Sequence, residues 1–228
     1  AHALSEGQQL QQLSSCHIKH FCIGCLGDQF FQLWGDLFRI AMPSAEQYAS
    51  RSVRYESKEA LYTALLRGEA QIAALLENED IHRIGLDFLP FARVPELCLF
   101  APGALPVGSD PLPRIHLEEL QDHLVAFHNH PGSNSYEDSL RRHLREQMPQ
   151  LQFVDPKDFF TYTSSCPHFT LLLPAIQYSG HDPAVSLDWG QGHRLGFVTS
   201  PHTDQGVLEY ARYIKEHLTA IPNFWEPL

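Results

Sequence analysis

Short β-like runs alternate with amphipathic helical stretches along this chain, and that alternation limits its fold more than any other feature. Residues 18–23 form a compact apolar run. They lead through Gly24, Cys25, Leu26, Gly27 and Asp28 into a segment with Phe30, Phe31, Trp34, Leu37 and Phe38 on one side. That spacing is the stripe of a half-buried helix, ended by Met42-Pro43. A second strand, residues 52–55, runs to Ser57, a hydroxyl placed to cap a helix carrying Ala60, Leu61, Ala64 and Leu65; Gly68 closes that helix as a C′ residue would. Residues 71–75 read as a third strand. This strand-helix-strand-helix-strand order is the pattern of βαβ units and a mainly parallel sheet.

The second half repeats the theme. Residues 97–101 read as a strand, 102–113 as a Pro/Gly-rich loop, 117–120 as a short helix and 124–128 as a strand running into the turn-rich stretch His130-Pro131-Gly132-Ser133. A helix framed by Asn134 and Glu137 places Tyr136, Leu140, Leu144 and Met148 on one face. Strand-like runs follow at 152–154, 169–173, 185–187 and 195–199, and a last helix, 204–218, carries Val207, Tyr210, Ala211, Ile214 and Leu218 inward. The pattern predicts an α/β fold of two Rossmann-like lobes joined by two hinge strands, with a cleft between them. Its expected division is residues 16–96 for the first lobe, 97–181 for the second, and 182–228 returning to the first.

Charge narrows the function classes. Sixteen Lys and Arg against twenty-seven Asp and Glu leave a formal net charge of −11, which argues against this stretch wrapping DNA or RNA. It also gives no reason to expect adhesion to an anionic membrane, and the longest apolar runs, such as 169–176, are too short to cross one. Residues 1–15 are polar and Gln-rich, without the basic start and apolar core of a secretory signal. Five irregularly spaced cysteines in a chain of 228 residues read as free thiols of a reducing cytosol rather than a disulfide framework.

The order of these elements resembles the effector-binding domain of LysR-type transcriptional regulators, a fold shared with type II periplasmic binding proteins. Residues 18–24 look like the first strand after the family's linker helix. Residues 60–73 are similar to its "L…L..G..D.A" segment, and Leu97-Cys98-Leu99-Phe100 to its crossing strand. Residues 115–120 resemble its short "i.l..L" helix, Thr170-Leu171-Leu172-Leu173-Pro174 its "llP" element, and 210–218 its closing helix. Order and spacing over nearly the whole chain carry the resemblance, not any single word. Two departures fall where the family's ligand would be expected: Gln71 replaces the usual Asp, and Ser165-Cys166-Pro167-His168-Phe169 replaces the usual glycines. The resemblance implies a cytoplasmic sensor of a small-molecule effector, assembled as a homodimer or tetramer. DNA would be reached only through a helix-turn-helix domain ahead of Ala1, with residues 1–15 as the end of the linker helix. It implies no enzyme activity and no cofactor.

In open α/β sheets, ligands settle at the carboxyl ends of strands against helix N-termini. Candidates there are Cys25 and Asp28 after the first strand, Ser57 after the second, His128, Asn129 and Ser133 after the second-lobe strand, and Cys166 and His168 across the hinge. Ser57 and Ser133 beside free backbone N–H groups suit a carboxylate or other small anion, although a serine there also serves as a plain cap. Fourteen histidines invite a metal reading through His128, His130, His168, Cys25 and Cys166, yet paired C-x-x-C and H-x-x-x-H spacings are missing, and polar lining is the simpler reading, so no metal site is assigned. Cys22-Ile-Gly-Cys25 spells C-x-x-C, but Cys22 falls inside the predicted strand; a redox sensor would work through Cys25 and Cys166. Hydrolase, P-loop and dinucleotide motifs are absent from the sequence. The acidic cluster Glu77, Glu79 and Asp80 reads as a solvated loop. The alternatives are a solute-binding protein of a transport system, a redox- or metal-responsive regulator, and an enzyme pairing Cys25 or Cys166 with His128 or His168.

Overall fold

The structure is a computed structural model that describes residues 19–26, 48–100, 114–128, 134–154, 168–177, 184–190, 192–217 and 226–228. Two six-stranded sheets organise these residues. The first contains β1 (Lys19–Leu26), β2 (Tyr48–Tyr55), β3 (Ile72–Leu76), β4 (Asp87–Val94), β11 (His193–Thr199) and β12 (Glu226–Pro227), in the spatial order β12-β4-β11-β3-β1-β2. The second contains β5 (Glu96–Phe100), β6 (Arg114–His116), β7 (Leu124–Phe127), β8 (Gln152–Phe153), β9 (Phe169–Pro174) and β10 (Ala184–Asp188), in the order β6-β10-β5-β9-β7-β8. Four α-helices accompany them among the described residues: α1 (Lys58–Leu66), α2 (Glu79–Arg83), α3 (Asn134–Gln147) and α4 (Gln205–His217).

The first βαβ unit forms as its sequence dictates. Ser57 Oγ accepts the backbone N–H of Ala60 at 3.2 Å, capping α1, and Gly68 adopts a left-handed φ of 71° to end it. β3 is buried along its whole length, as expected of a strand covered on both faces. Gly24 lets α1 approach β1 closely. A Cβ built there would lie 2.4 Å from Leu61 Cδ1 and 3.3 Å from the Ala70 Cβ. Leu61, Ala64 and Leu65 of α1 and Val207, Tyr210, Ala211 and Ile214 of α4 close the core of the first sheet. Leu140, Leu144 and Met148, the stripe read from the sequence of α3, pack on Cys98, Val125, Leu172 and Val185 in the second.

Several expected boundaries move. β1 continues through Leu26 instead of stopping at Ile23, so Gly24 and Cys25 belong to the strand. The acidic cluster is not a solvated loop: Asn78 Oδ1 accepts the N–H of Ile81 and caps α2. Asp80 pairs with Lys58 at 2.7 Å and with Arg83, while Glu77 pairs with Arg194 at 2.9 Å. β4 and β6 lack counterparts in the sequence reading. β10 hydrogen-bonds to β5 and β6 and buries Val185 and Leu187 in the second core, so the return to the first sheet comes after Asp188 rather than at 182. The helix expected around 30–38, the loop 102–113, and the linker-helix segment 1–15 lie largely or wholly outside the described residues.

The chain crosses between the sheets twice, from Val94 to Glu96 and from Asp188 to His193. Strand directions make these crossings the focus of the fold. In the first sheet β1 runs parallel to β2 and β3, while β11 runs antiparallel to both β3 and β4. The carboxyl ends of β1, β2, β3 and β4 therefore share one edge, the edge where β4 leaves for the second sheet. In the second sheet β9 and β10 are antiparallel to β5, β7 and β8 run parallel to β9, and β6 runs parallel to β10. All five consequently end on the edge where β5 begins. Both sheets thus aim the carboxyl ends of their parallel strands at the crossings.

Candidate ligand-binding cleft

An edge formed by strand carboxyl ends is where an open α/β sheet receives ligands, because loops there are free of ladder bonds and helix N-termini point toward it. Two predicted residues stand on this edge. Ser57 follows β2 and opens α1; its oxygen is engaged in the cap, leaving its O–H as a donor. His128 follows β7, tied by its backbone N–H to the Leu172 carbonyl at 2.8 Å, and is partly exposed. The side chain of Lys58, beside Ser57, is held by Asp80. From β3 the chain enters Asn78, whose Oδ1 also accepts the Tyr62 hydroxyl at 3.2 Å.

Cys25 is placed differently from expectation. It lies inside β1, fully buried, where loss of solvation pushes its thiol up to about 12. Cys22 and Cys25 are three residues apart on one strand, so their side chains project from opposite faces, with Cα atoms about 10 Å apart. A disulfide needs roughly 4.4–6.8 Å, and C-x-x-C here carries no redox pair. Cys98 is also buried, its thiol raised well above the ordinary value by desolvation first and the neighbouring Glu96 second.

His168 stands at the wrong end of the second sheet for a cleft residue. β9 runs toward the crossings, so the residue before it lies at the far edge. The Leu124 N–H bonds to the His168 carbonyl, and the His128 N–H bonds to the Leu172 carbonyl, four residues further along the same ladder. That separates the two histidines by about 13 Å of strand. His168 instead faces His123, ring centres 5.4 Å apart, and His123 Nδ1 lies 2.6 Å from Thr170 Oγ1. Burial, then the neighbouring His168, lowers the His123 pKa. Gln71 is likewise at the amino end of β3, away from the cleft edge; its side chain accepts the Cys22 N–H and donates to the Gly68 carbonyl. The departure from the family pattern at this position is therefore a backbone tie, not a change in the lining. Asp28, Asn129, Ser133 and Cys166 lie outside the described residues.

The polar groups at the crossings themselves carry no mark in the sequence. Glu96, the first residue of β5, is wholly buried, and its Oε2 lies 2.7 Å from Nε2 of His193, the first residue of β11. The Trp189 ring sits 5.4 Å from the His193 ring and 5.5 Å from that of His143 on α3. A single acidic residue opening a strand, and a histidine ninety-seven positions later, offer no spacing signal that would connect them. Among the described residues there is no group of three or more His, Cys, Asp or Glu arranged to hold a metal, and no helix is long and apolar enough to cross a membrane.

This architecture is the two-lobe α/β fold of the type II periplasmic-binding-protein kind, seen in LysR-type regulatory domains. Particular solved structures share it. Full-length CbnR in complex with its target DNA superposes with a TM-score of 0.63 at 11% identity, over 95% of this chain and 74% of that one. CbnR alone, a LysR family transcriptional regulator, gives 0.63 at 10% identity over 96% and 76%. The sulfate-bound regulatory domain of an OxyR2 mutant from Vibrio vulnificus gives 0.61 at 14% identity over 89% and 98%. At such identities the likeness is one of fold. No protein-family model matches the sequence. No curated protein matches it either.

Proposed function

We propose that this chain is the effector-sensing domain of a LysR-type transcriptional regulator, acting in the cytoplasm as part of a homodimer or tetramer. The observation that carries the reading is the convergence of strand carboxyl ends from both sheets on the two crossings, in a fold shared with LysR-type regulatory domains. A small molecule held by both lobes there favours one inter-lobe arrangement, and its differential affinity for the two arrangements sets the largest shift available. The Ser57 hydroxyl and the partly exposed His128, from opposite sheets, suit a carboxylate or other small anion. No covalent step is required. Among the described residues, Cys25 is the thiol nearest the first-sheet edge, and it is buried and protonated, which speaks against its use as a nucleophile.

A thermal-shift screen of the 228-residue chain against amino acids, aromatic acids and other small anions tests this. A ligand at a hundredfold its Kd adds about 2.7 kcal/mol to the native state, about 5–10 °C for a chain of this size. Such a ligand, altering reporter transcription by the full-length protein, supports the reading. A ligand that binds while the protein leaves transcription untouched and is found outside the cytoplasm establishes the solute-binding alternative.

A further inference from the structure

The two crossings are bolted together by a buried acid and a buried base. Leu187 of β10 pairs with Glu96, and Val94 of β4 pairs with His193, so the outgoing and returning segments pass side by side. Glu96 and His193 bridge them at 2.7 Å, with side chains 0% and 6% exposed. Among the described residues, Glu96 Oε1 has no hydrogen-bond partner, nor has the buried Nε1 of Trp189 on the returning segment.

Charge bookkeeping at this point is stringent. With one proton between them, the pair is either acid beside imidazole or carboxylate beside imidazolium, and carries no net charge in either form. Removing that proton leaves a net negative charge where water does not reach. Among the described residues, His193 is the charged group that acts on Glu96. Opposite Glu96 on the flanking strands stand Leu187 and Pro174, and two residues along its own strand stands the Cys98 thiol. Arg194 turns to Glu77 and Phe88, Asp188 lies 3.6 Å from His116, and His143 packs on the Trp189 ring. Arg93, beside Val94, is exposed and covers Gly192 with its methylenes.

We infer that Glu96 and His193 form a proton-linked latch on the hinge: while they share one proton the two crossings are held together, and loss of that proton loosens them. The inference goes beyond ligand sensing, since it adds pH as an input whatever molecule occupies the cleft. Burial pushes the Glu96 carboxyl above its ordinary range, and the His193 contact partly offsets this. Glu96 therefore binds its proton more tightly in the folded protein than in the unfolded chain. Its stabilising contribution is complete below the ordinary glutamate range and is lost as pH rises through the elevated value.

Hydrogen exchange of the amides at 94–98 and 192–196 tests the latch, using the 228-residue chain and its Glu96→Gln variant from pH 6 to 9, each rate divided by its intrinsic rate. In the wild type, protection falls with rising pH by up to about tenfold per unit, the limit for one linked proton, while E96Q stays flat. A flat wild type, or an equal fall in E96Q, overturns the inference. Should E96Q fail to fold, the wild-type Glu96 carboxyl carbon-13 shift decides the matter. Titration above the ordinary glutamate range, accompanied by movement of the Trp189 indole resonance, supports the latch; ordinary titration, or an indole that does not move, refutes it.

Discussion

Cys25 gives a sharp test of whether this protein senses oxidants through the thiol its sequence offers most conspicuously. Burial inside β1 moves the thiol from 9.0 to about 12. Because the thiolate is the reactive form, three pKa units leave about a thousandfold less of it at pH 8 than an unperturbed cysteine has. Accessibility compounds the effect, since the residue is 0% exposed and a reagent must wait for an opening of the strand. The assay is iodoacetamide labelling at pH 8 in a Cys22→Ser background, so that the tryptic peptide spanning both positions reports one thiol. Peptide-resolved mass spectrometry follows the native chain beside the chain in about 6 M guanidinium. Native Cys25 should react at least about a thousandfold more slowly than the unfolded chain. Labelling within tenfold of the unfolded rate would refute the placement of Cys25 and restore the thiol to the sensing candidates.

Gly24→Ala pushes a methyl against Leu61 and should cost about 1–3 kcal/mol in urea unfolding, with part recovered in a Gly24→Ala/Leu61→Val double variant. Ser57→Ala removes the cap of α1 and should cost about 1 kcal/mol; Ser57→Asn should restore most of it. His193→Ala strands the Glu96 carboxyl in the interior and should cost about 3–5 kcal/mol at neutral pH, with Glu96→Gln/His193→Ala recovering much of that loss in the same unfolding assay. His168→Ala, at the edge remote from the crossings, should leave ligand affinity by calorimetry within twofold of wild type, and His128→Ala should weaken it by tenfold or more.

How far the fold was legible depends on how local its signals are. Ser57, the Leu61–Ala64–Leu65 face and Gly68 are neighbours in sequence and dictate α1 between them, so the first βαβ unit reads directly. β4 escapes because Pro90 argues against a strand. The structure accommodates it at an irregularity, where Pro90 lies opposite Gly196 while Ala92 lies opposite Leu195, so Phe91 is the extra residue. α2 is only five residues long, and its acidic first turn looks like a solvated loop until Lys58, Arg83 and Arg194, from three elements, neutralise its surroundings.

The cleft was legible in outline and not in detail. That strands end toward a common edge follows from βαβ order, and so Ser57 and His128 fall on it. Which end of a strand a flanking residue occupies depends on pairing direction, which spacing does not encode, so spacing alone puts His168 and Gln71 at the edge opposite to the one they occupy. Gly24 looks like a turn residue and so suggests a loop position for Cys25, whereas it serves close approach of α1 within the strand. The Glu96–His193 contact joins segments nearly a hundred residues apart and leaves no local trace.

The most direct test of the central claim maps where a ligand from the thermal-shift panel lands, by comparing hydrogen exchange with and without it. A ligand held between the lobes protects the strand ends at 55–58 and 126–128 together with the crossings at 94–96 and 188–193, and leaves the remote edge at 123–124 and 168–170 unchanged. Protection confined to that remote edge, or to one sheet alone, would contradict a sensor that works by bridging its two lobes.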